Sequence, residues 1–367
     1  MMFDIETFLN TDPYSLDRQA KERMLGNALW DLTWWHYDRC EAYRRILDNL
    51  GIGAVNNRPL NQPIEELPFL PVPLFKTHEM CSIPREDVFK TLTSSGTTGQ
   101  AVSKIFLDRE TTILQQKVLV KIVSSFTGAT RLPMLIIDSP SVIKNRLMFS
   151  ARGAGILGFS IFGADRTYAL NDEMQIDFAA IEAFLERHKG QRILLFGFTF
   201  MIWQYFYKEL AKAAESGMRI DLSHGVLIHG GGWKKLIGEA VSPAEFRDRL
   251  TAVCGLSDVH DYYGMVEQTG TVYMQCEEGH LHAPVFSDVL IRRGHDFSVC
   301  DHGEKGIVQV VSMLPRSYPG HSLLTQDEGA ILGEDDCPCG RKGKYFKIFG
   351  RLKNAEIRGC SDTFERK

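Results

Sequence analysis

No stretch of this chain reaches the roughly 18 uninterrupted apolar residues that a membrane-spanning helix needs, so no span is expected. Basic residues are too few for a nucleic-acid binder. There are 42 Lys and Arg against 46 Asp and Glu, a formal net charge of −4, whereas polyanion recognition carries a basic excess. Cysteine is dilute, 8 in 367 residues, which excludes a disulfide scaffold and predicts mostly reduced thiols in a cytoplasmic protein. The run Met1-Met2-Phe3-Asp4-Ile5-Glu6 has acid where a signal peptide needs base, and no apolar core follows it. There is no Asn-x-Ser/Thr sequon. There is also no Gly-x-Ser-x-Gly elbow, which argues against a serine hydrolase of the usual kind. A Walker A loop, an internal repeat and a low-complexity segment are likewise missing.

What is present is ordinary globular material: 44% hydrophobic and 24% charged residues, enough for a sizeable core. At about 100–200 residues per domain, the length predicts two or three units, or one large α/β unit with appendages. Residues 15–50 carry helical periodicity, with Leu25, Leu29, Leu32, Tyr43, Leu47 and Leu50 at three- and four-residue steps and Gly51 as a stop. Six prolines between Pro59 and Pro84 predict an extended, well-packed connector. From there to about 263, apolar strand-like runs (Met134–Ile137, Ile193–Phe198, Gly225–His229) alternate with helix-like runs (Phe200–Glu215, Ala244–Val253). That is the grammar of a mainly parallel sheet. Ser242-Pro243-Ala244-Glu245 reads as a capped helix start. From 281 to 349 the runs shorten (Val285–Ile291, Gly306–Met313, Ser322–Thr325), which predicts a smaller antiparallel β subdomain.

The strongest local signal is Thr93-Ser94-Ser95-Gly96-Thr97-Thr98-Gly99, with Lys104 five residues beyond the second glycine. Glycines permit tight turns, hydroxyls and exposed amides can wrap phosphate oxygens, and the lysine can add charge. Composition alone favours a Ser/Thr/Gly surface loop. A literal GxGxxG occurs at Gly153-Ala154-Gly155-Ile156-Leu157-Gly158. The preceding residues 142–152 read as helix, whereas a dinucleotide site needs a strand directly before the glycines. Phe196, Phe198 and Trp203 follow one strand and are read as core aromatics or as an apolar wall for a ligand. Cys337 and Cys339 offer half of a structural zinc site, together with two of Cys254, His260 and Cys276. Cys-x-Cys is tighter than the common knuckle, and reduced buried thiols are the favoured reading.

Ser-Ser-Gly-Thr-Thr-Gly followed by lysine resembles the phosphate loop of the adenylate-forming superfamily, whose members use ATP to convert a carboxylate into acyl-AMP. Further segments in the same order extend the resemblance. Tyr262-Tyr263-Gly264-Met265-Val266-Glu267 is similar to a segment whose tyrosine lies against adenine and whose glutamate holds Mg²⁺. His229-Gly230-Gly231-Gly232-Trp233 resembles the backbone that passes along adenine, Thr325-Gln326-Asp327 the segment whose aspartate takes the ribose hydroxyls, and Gly350-Arg351 the hinge before a C-terminal domain. Cys337-Pro338-Cys339-Gly340-Arg341 is similar to the phenylacetate-CoA ligase branch. The stretches 71–78, 229–234, 263–270 and 358–362 bring the chain closer still to the acyl-protein synthetases of bacterial bioluminescent fatty-acid reductase systems.

The resemblance implies an adenylate-forming α/β domain over 1–350: a helical segment to 60, an α/β part to about 280 and a β-rich part over 281–349. A short tail follows at 351–367. The superfamily's C-terminal lysine domain is expected to be missing or vestigial. In its place Lys104, Lys234, Lys235, Arg351 or Lys353 would have to meet the charge on the α-phosphate. The implied activity is ATP- and Mg²⁺-dependent activation of a carboxylic acid, a fatty acid being favoured. Transfer to the Cys360 thiol and then to a reductase or acyltransferase partner would follow. An aryl or heteroaryl acid in secondary metabolism is the alternative substrate, and a nucleotide- or adenylate-binding scaffold without turnover is the alternative class.

Overall fold

In the helix Pro243–Cys254 local sequence and fold coincide. Ser242 accepts a hydrogen bond from the Glu245 amide at 3.2 Å, proline occupies the first turn, and Gly255 closes the helix at φ +75°. Phe246, Leu250 and Cys254, four residues apart, form its buried face. Full burial of a side chain such as Phe or Leu stabilises by about 1.5–3 kcal/mol. Such helices alternate with strands in a computed structural model that describes residues 4–53, 58, 62–94, 101–144 and 151–352. The chain divides into two units. One takes in the described residues of Met1–Val123, Gly264–Met274 and His280–Ile357, the other those of Ser124–Tyr263 and Gln275–Gly279.

In chain order the strands are β1 (Leu70–Pro71), β2 (Lys90–Thr93), β3 (Lys104–Leu107), β4 (Leu132–Ile137), β5 (Gly163–Tyr168), β6 (Ile193–Phe198) and β7 (Gly225–Gly230). They continue as β8 (Asp258–Tyr263), β9 (Tyr273–Gln275), β10 (Leu281–His282), β11 (Ser287–Arg292), β12 (Gly306–Ser312), β13 (Ser322–Glu334) and β14 (Lys344–Arg351). The second unit holds the parallel sheet β5-β4-β6-β7-β8. β4, β6 and β7 are buried along their whole length, as near-continuous apolar runs require in a covered parallel sheet. The expected helix 200–215 is present from Thr199 to Glu215. Its Ile202–Tyr207 segment is a wider π turn, and Ile202, Trp203, Phe206 and Leu210 enter the core.

The first unit holds the antiparallel sheet β11-β12-β13-β14-β10, with β1 parallel to β13, and a separate β2–β3 hairpin. The periodicity over 15–50 resolves into two helices, Arg18–Arg39 and Glu41–Asn49, broken at Cys40 by an extended φ/ψ of −111°/104°. Gly51, the expected stop, sits at φ +74°. Among its described residues the proline-rich connector contains a single 3-10 turn, Ile64–Glu66, after Pro63, and a short α-helix, Leu74–Thr77, which starts directly after Pro73. β13 is far longer than the expected Ser322–Thr325. Gly329 and Gly333 are glycines because a Cβ would come within 2.8 Å of the Lys347 carbonyl and within 2.3 Å of the Tyr345 hydroxyl. The register shifts at both points.

Two buried histidines make the first unit acid-sensitive. His36 and His321 stack at 5.1 Å. The His36 Nε2–H donates to the Pro315 carbonyl at 3.0 Å, so Nδ1 accepts from Ser82 Oγ at 2.8 Å and the ring is neutral. Burial pushes His36 well below its ordinary value and lowers His321 to about 3. With folded values below the unfolded one, the unfolded chain binds more protons. Stability is therefore complete above about pH 6.5 and declines as pH falls, by about 1.4 kcal/mol per pH unit for each ring. Urea unfolding at pH 7 and pH 5 should show a clearly lower midpoint at pH 5, with a shallower loss in His321→Gln. Equal midpoints would contradict this.

Candidate active site

In the first unit, the residues singled out from the sequence gather around the β2–β3 hairpin and one turn. Thr93 pairs with Lys104 across the hairpin. Just beyond, the Ser103 amide donates to Ser94 Oγ at 2.8 Å and the Ser94 amide donates to the Ser103 carbonyl at 3.1 Å. The glycine-rich segment is thus closed at its base. Ser95, Gly96, Thr97, Thr98 and Gly99 themselves lie outside the described residues, as do Lys353 and Cys360. Lys104 is exposed.

Glu267 follows Gly264 on a short helical turn, Val266–Gln268, and is 5% exposed. Two hydrogen-bonding residues fix that turn. Tyr318 Oη donates to the Glu267 carbonyl at 2.9 Å, and Gln268 Nε2 donates to the carbonyls of Val310 and Gly320 at 3.1 and 2.9 Å. Burial pushes the Glu267 carboxyl above its ordinary value. The Ser103 hydroxyl, the residue's own amide and Arg351 offset only part of that. The Ser103 hydroxyl lies against the carboxylate without forming a well-shaped hydrogen bond. A buried carboxylate whose charge is incompletely balanced fits a hard cation, and Mg²⁺ takes one or two protein carboxylates together with substrate phosphates. Arg351 pairs with Asp327 across β14 and β13, with Nε 4.0 Å from the carboxylate. The Asp327 amide donates to Thr325 Oγ1 at 3.1 Å.

In the second unit, the other candidates stand at the carboxyl ends of parallel strands, where open α/β sheets bind ligands. Gly230 on β7 is the register partner of Tyr262 on β8. A Cβ on Gly230 would lie 2.5 Å from the Tyr262 ring, so only glycine admits that ring. Gly231 adopts φ +76°, and Gly232 follows it. Tyr262 contacts Phe159 at 4.9 Å, and Phe159 stacks on Phe196 at 4.4 Å. Tyr263 is the last residue of β8. Phe196 is fully buried, with Phe198 beside it at the strand end. Trp203 is 3% exposed, and Tyr207, Trp233 and Phe246 cover its ring in the core. The glycines of the literal GxGxxG lie inside the helix Ala151–Phe159, not in a strand-to-helix turn, and a Cβ on Gly155 would come within 2.8 Å of the Phe198 ring.

Three polar features at these sites escaped the sequence reading. One is Ser103 beside Glu267. The second is Thr199 Oγ1, 3.0 Å from His229 Nδ1. The third is a buried ion pair at the end of β4, Asp138 to Arg152 at 3.0 Å, with burial raising the Asp138 carboxyl to about 6 against the pull of Arg152. Asp138-Ser139-Pro140 after an apolar strand was the available signal.

Residues 3–367 match the family model described as "Acyl-protein synthetase, LuxE". The chain belongs to this family. Among curated relatives, the long-chain-fatty-acid–luciferin-component ligase of Vibrio harveyi is 23% identical over 366 residues, covering 96% of this chain and 90% of the relative. The same-named protein of Aliivibrio fischeri is 22% identical over 364 residues, with the same coverage. Among solved structures, a 2-hydroxyisobutyryl-CoA ligase in complex with 2-HIB-AMP and CoA superposes with TM-score 0.68 at 14% identity, covering 93% of this chain and 70% of that one. That likeness establishes the expected adenylate-forming α/β fold. As a member of the acyl-protein synthetase family the protein is an enzyme, a carboxylate ligase that activates an acid and hands the acyl group to a protein acceptor. Among the described residues, no helix is long and apolar enough to cross a membrane.

Proposed function

We propose that this protein uses ATP and Mg²⁺ to activate a long-chain fatty acid, carries the acyl group on Cys360 and delivers it to a reductase partner. The match of residues 3–367 to the acyl-protein synthetase family carries this reading. Two curated relatives named for long-chain fatty acids favour that substrate over an aryl acid.

In the first step a carboxylate oxygen attacks the α-phosphorus, the bond to the β-phosphate oxygen breaks, and pyrophosphate leaves. Bound Mg²⁺ would neutralise charge on the phosphates, with Glu267 as its protein ligand. Asp327 accepts hydrogen bonds from the ribose hydroxyls. Ser94 to Gly99 give hydroxyls and amides to phosphate oxygens. Lys104 and Arg351 are the cations assigned to the charge that develops on the α-phosphate. Tyr262 and Tyr263 offer aromatic faces to adenine, and Gly230, Gly231 and Gly232 let the backbone approach it. Phe198, with Phe196 behind it, is the aromatic wall assigned to the acid. In the second step the Cys360 thiolate attacks the acyl carbon, the bond to AMP breaks, and a thioester forms.

Acid-dependent exchange of pyrophosphate into ATP, run over saturated fatty acids of increasing length and over aryl carboxylates, tests the substrate. The expected kcat/KM rises with chain length by up to about fourfold per buried methylene, the equivalent of ~0.8 kcal/mol. A higher kcat/KM on aryl acids would overturn the fatty-acid assignment.

A further inference from the structure

The loop between β13 and β14 carries Cys337-Pro338-Cys339-Gly340, and β10 pairs with β14 so that His282 stands opposite Tyr345. This brings together residues 57 apart in sequence. His282 Nε2 is 3.4 Å from Cys339 Sγ, and the ligand atoms of His282, Cys337 and Cys339 all lie within 4.8 Å of one another. With Zn–S of about 2.3 Å and Zn–N of about 2.0–2.1 Å, a tetrahedral zinc holds neighbouring S and N ligands roughly 3.5 Å apart. The trio is therefore close to the edge length that a single ion requires.

His282 is fully buried and Cys337 nearly so. His280 Nδ1 lies 3.4 Å from Cys337 Sγ, placed to donate a hydrogen bond to a thiolate from outside the trio. The backbone has the form of a metal knuckle: the Gly340 amide donates to the Cys337 carbonyl at 2.9 Å, and Gly340 adopts φ +81°. Tyr345 stacks on both imidazoles, at 4.9 Å from His280 and 5.8 Å from His282, which fixes the ring planes.

We propose that His282, Cys337 and Cys339 bind a structural zinc ion. Two thiolates and one imidazole are donors that suit zinc, and all three are supplied within the first unit. Sequence spacing alone favoured reduced thiols, because Cys-x-Cys is tighter than the common knuckle and His282 was not among the candidates. The ion would clamp the turn of the β13–β14 hairpin to β10. The opposite end of that hairpin carries Asp327 and Arg351, about seven residues or ~24 Å away at ~3.4 Å per residue. The zinc thus supports the hairpin and takes no part in the chemistry.

Full-length protein, purified from zinc-supplied cells without chelator, should contain about one zinc per chain by plasma mass spectrometry, as expected for one structural site. The Cys337→Ser/Cys339→Ser double variant should lose most of it. Cobalt loaded into wild-type protein needs no substitution, and so decides the matter even if a variant fails to fold. Strong tetrahedral visible bands with thiolate charge transfer are expected. Folded wild-type protein without bound zinc and without those cobalt bands would overturn the site.

Discussion

Replacing Glu267 with alanine should lower acid-dependent pyrophosphate exchange by about 10²–10³-fold, the usual consequence of losing one preorganised charge-stabilising group. The same substitution should leave folding intact or improve it. Burial raises the Glu267 carboxyl pKa above its ordinary value, so at neutral pH its charge disfavours the folded state and its loss relieves that cost. Activity and stability should therefore move in opposite directions, which a purely structural role for Glu267 does not produce. The check is to measure exchange at saturating Mg²⁺ alongside thermal unfolding of Glu267→Ala and Glu267→Gln. Wild-type exchange in either folded variant would remove the metal-binding role.

Cys360→Ser should abolish covalent acyl-enzyme while leaving pyrophosphate exchange unchanged. The two steps use different groups, so removing the thiol stops the second and spares the first. A thiolate is a strong nucleophile even as a minor species near neutral pH, and acyl-adenylate carries a good leaving group. Arg358 stands two residues before Cys360 in the sequence, and a nearby cation favours a thiolate. After incubation with ATP, Mg²⁺ and labelled fatty acid, wild-type protein should carry hydroxylamine-sensitive label and Cys360→Ser none. Label on Cys360→Ser would assign the acceptor elsewhere. An active wild type without label would show direct transfer of the adenylate to a partner.

The sequence revealed most where local chemistry and tertiary demand coincide. The helix Pro243–Cys254 announces both of its ends in Ser242-Pro243 and Gly255, and the apolar runs of β4, β6 and β7 can only be covered strands. It revealed least where a residue's meaning depends on a distant partner. The expected run Ser322–Thr325 is only the start of β13, whose Gly329 and Gly333 are demanded by crowding from β14. Trp203 read as either core or pocket wall, and the wider π turn and three aromatic neighbours place it in the core. Of the proposed site, Glu267, Asp327 and Arg351 were singled out through motif resemblance. Ser103 and the Asp138–Arg152 pair were not, since burial alone distinguishes them from ordinary polar residues. His282 stayed hidden for the same reason as Gly329: its partners arrive from the other side of a hairpin.

Formation of an acyl-adenylate is the step on which the proposed activity depends. Purified wild-type protein, given radiolabelled pyrophosphate, ATP, Mg²⁺ and a long-chain fatty acid, should incorporate label into ATP only when the acid is present, and Glu267→Ala should suppress that signal. Binding of ATP without exchange, for every fatty and aryl acid supplied, would contradict the account and leave a nucleotide-binding scaffold in its place.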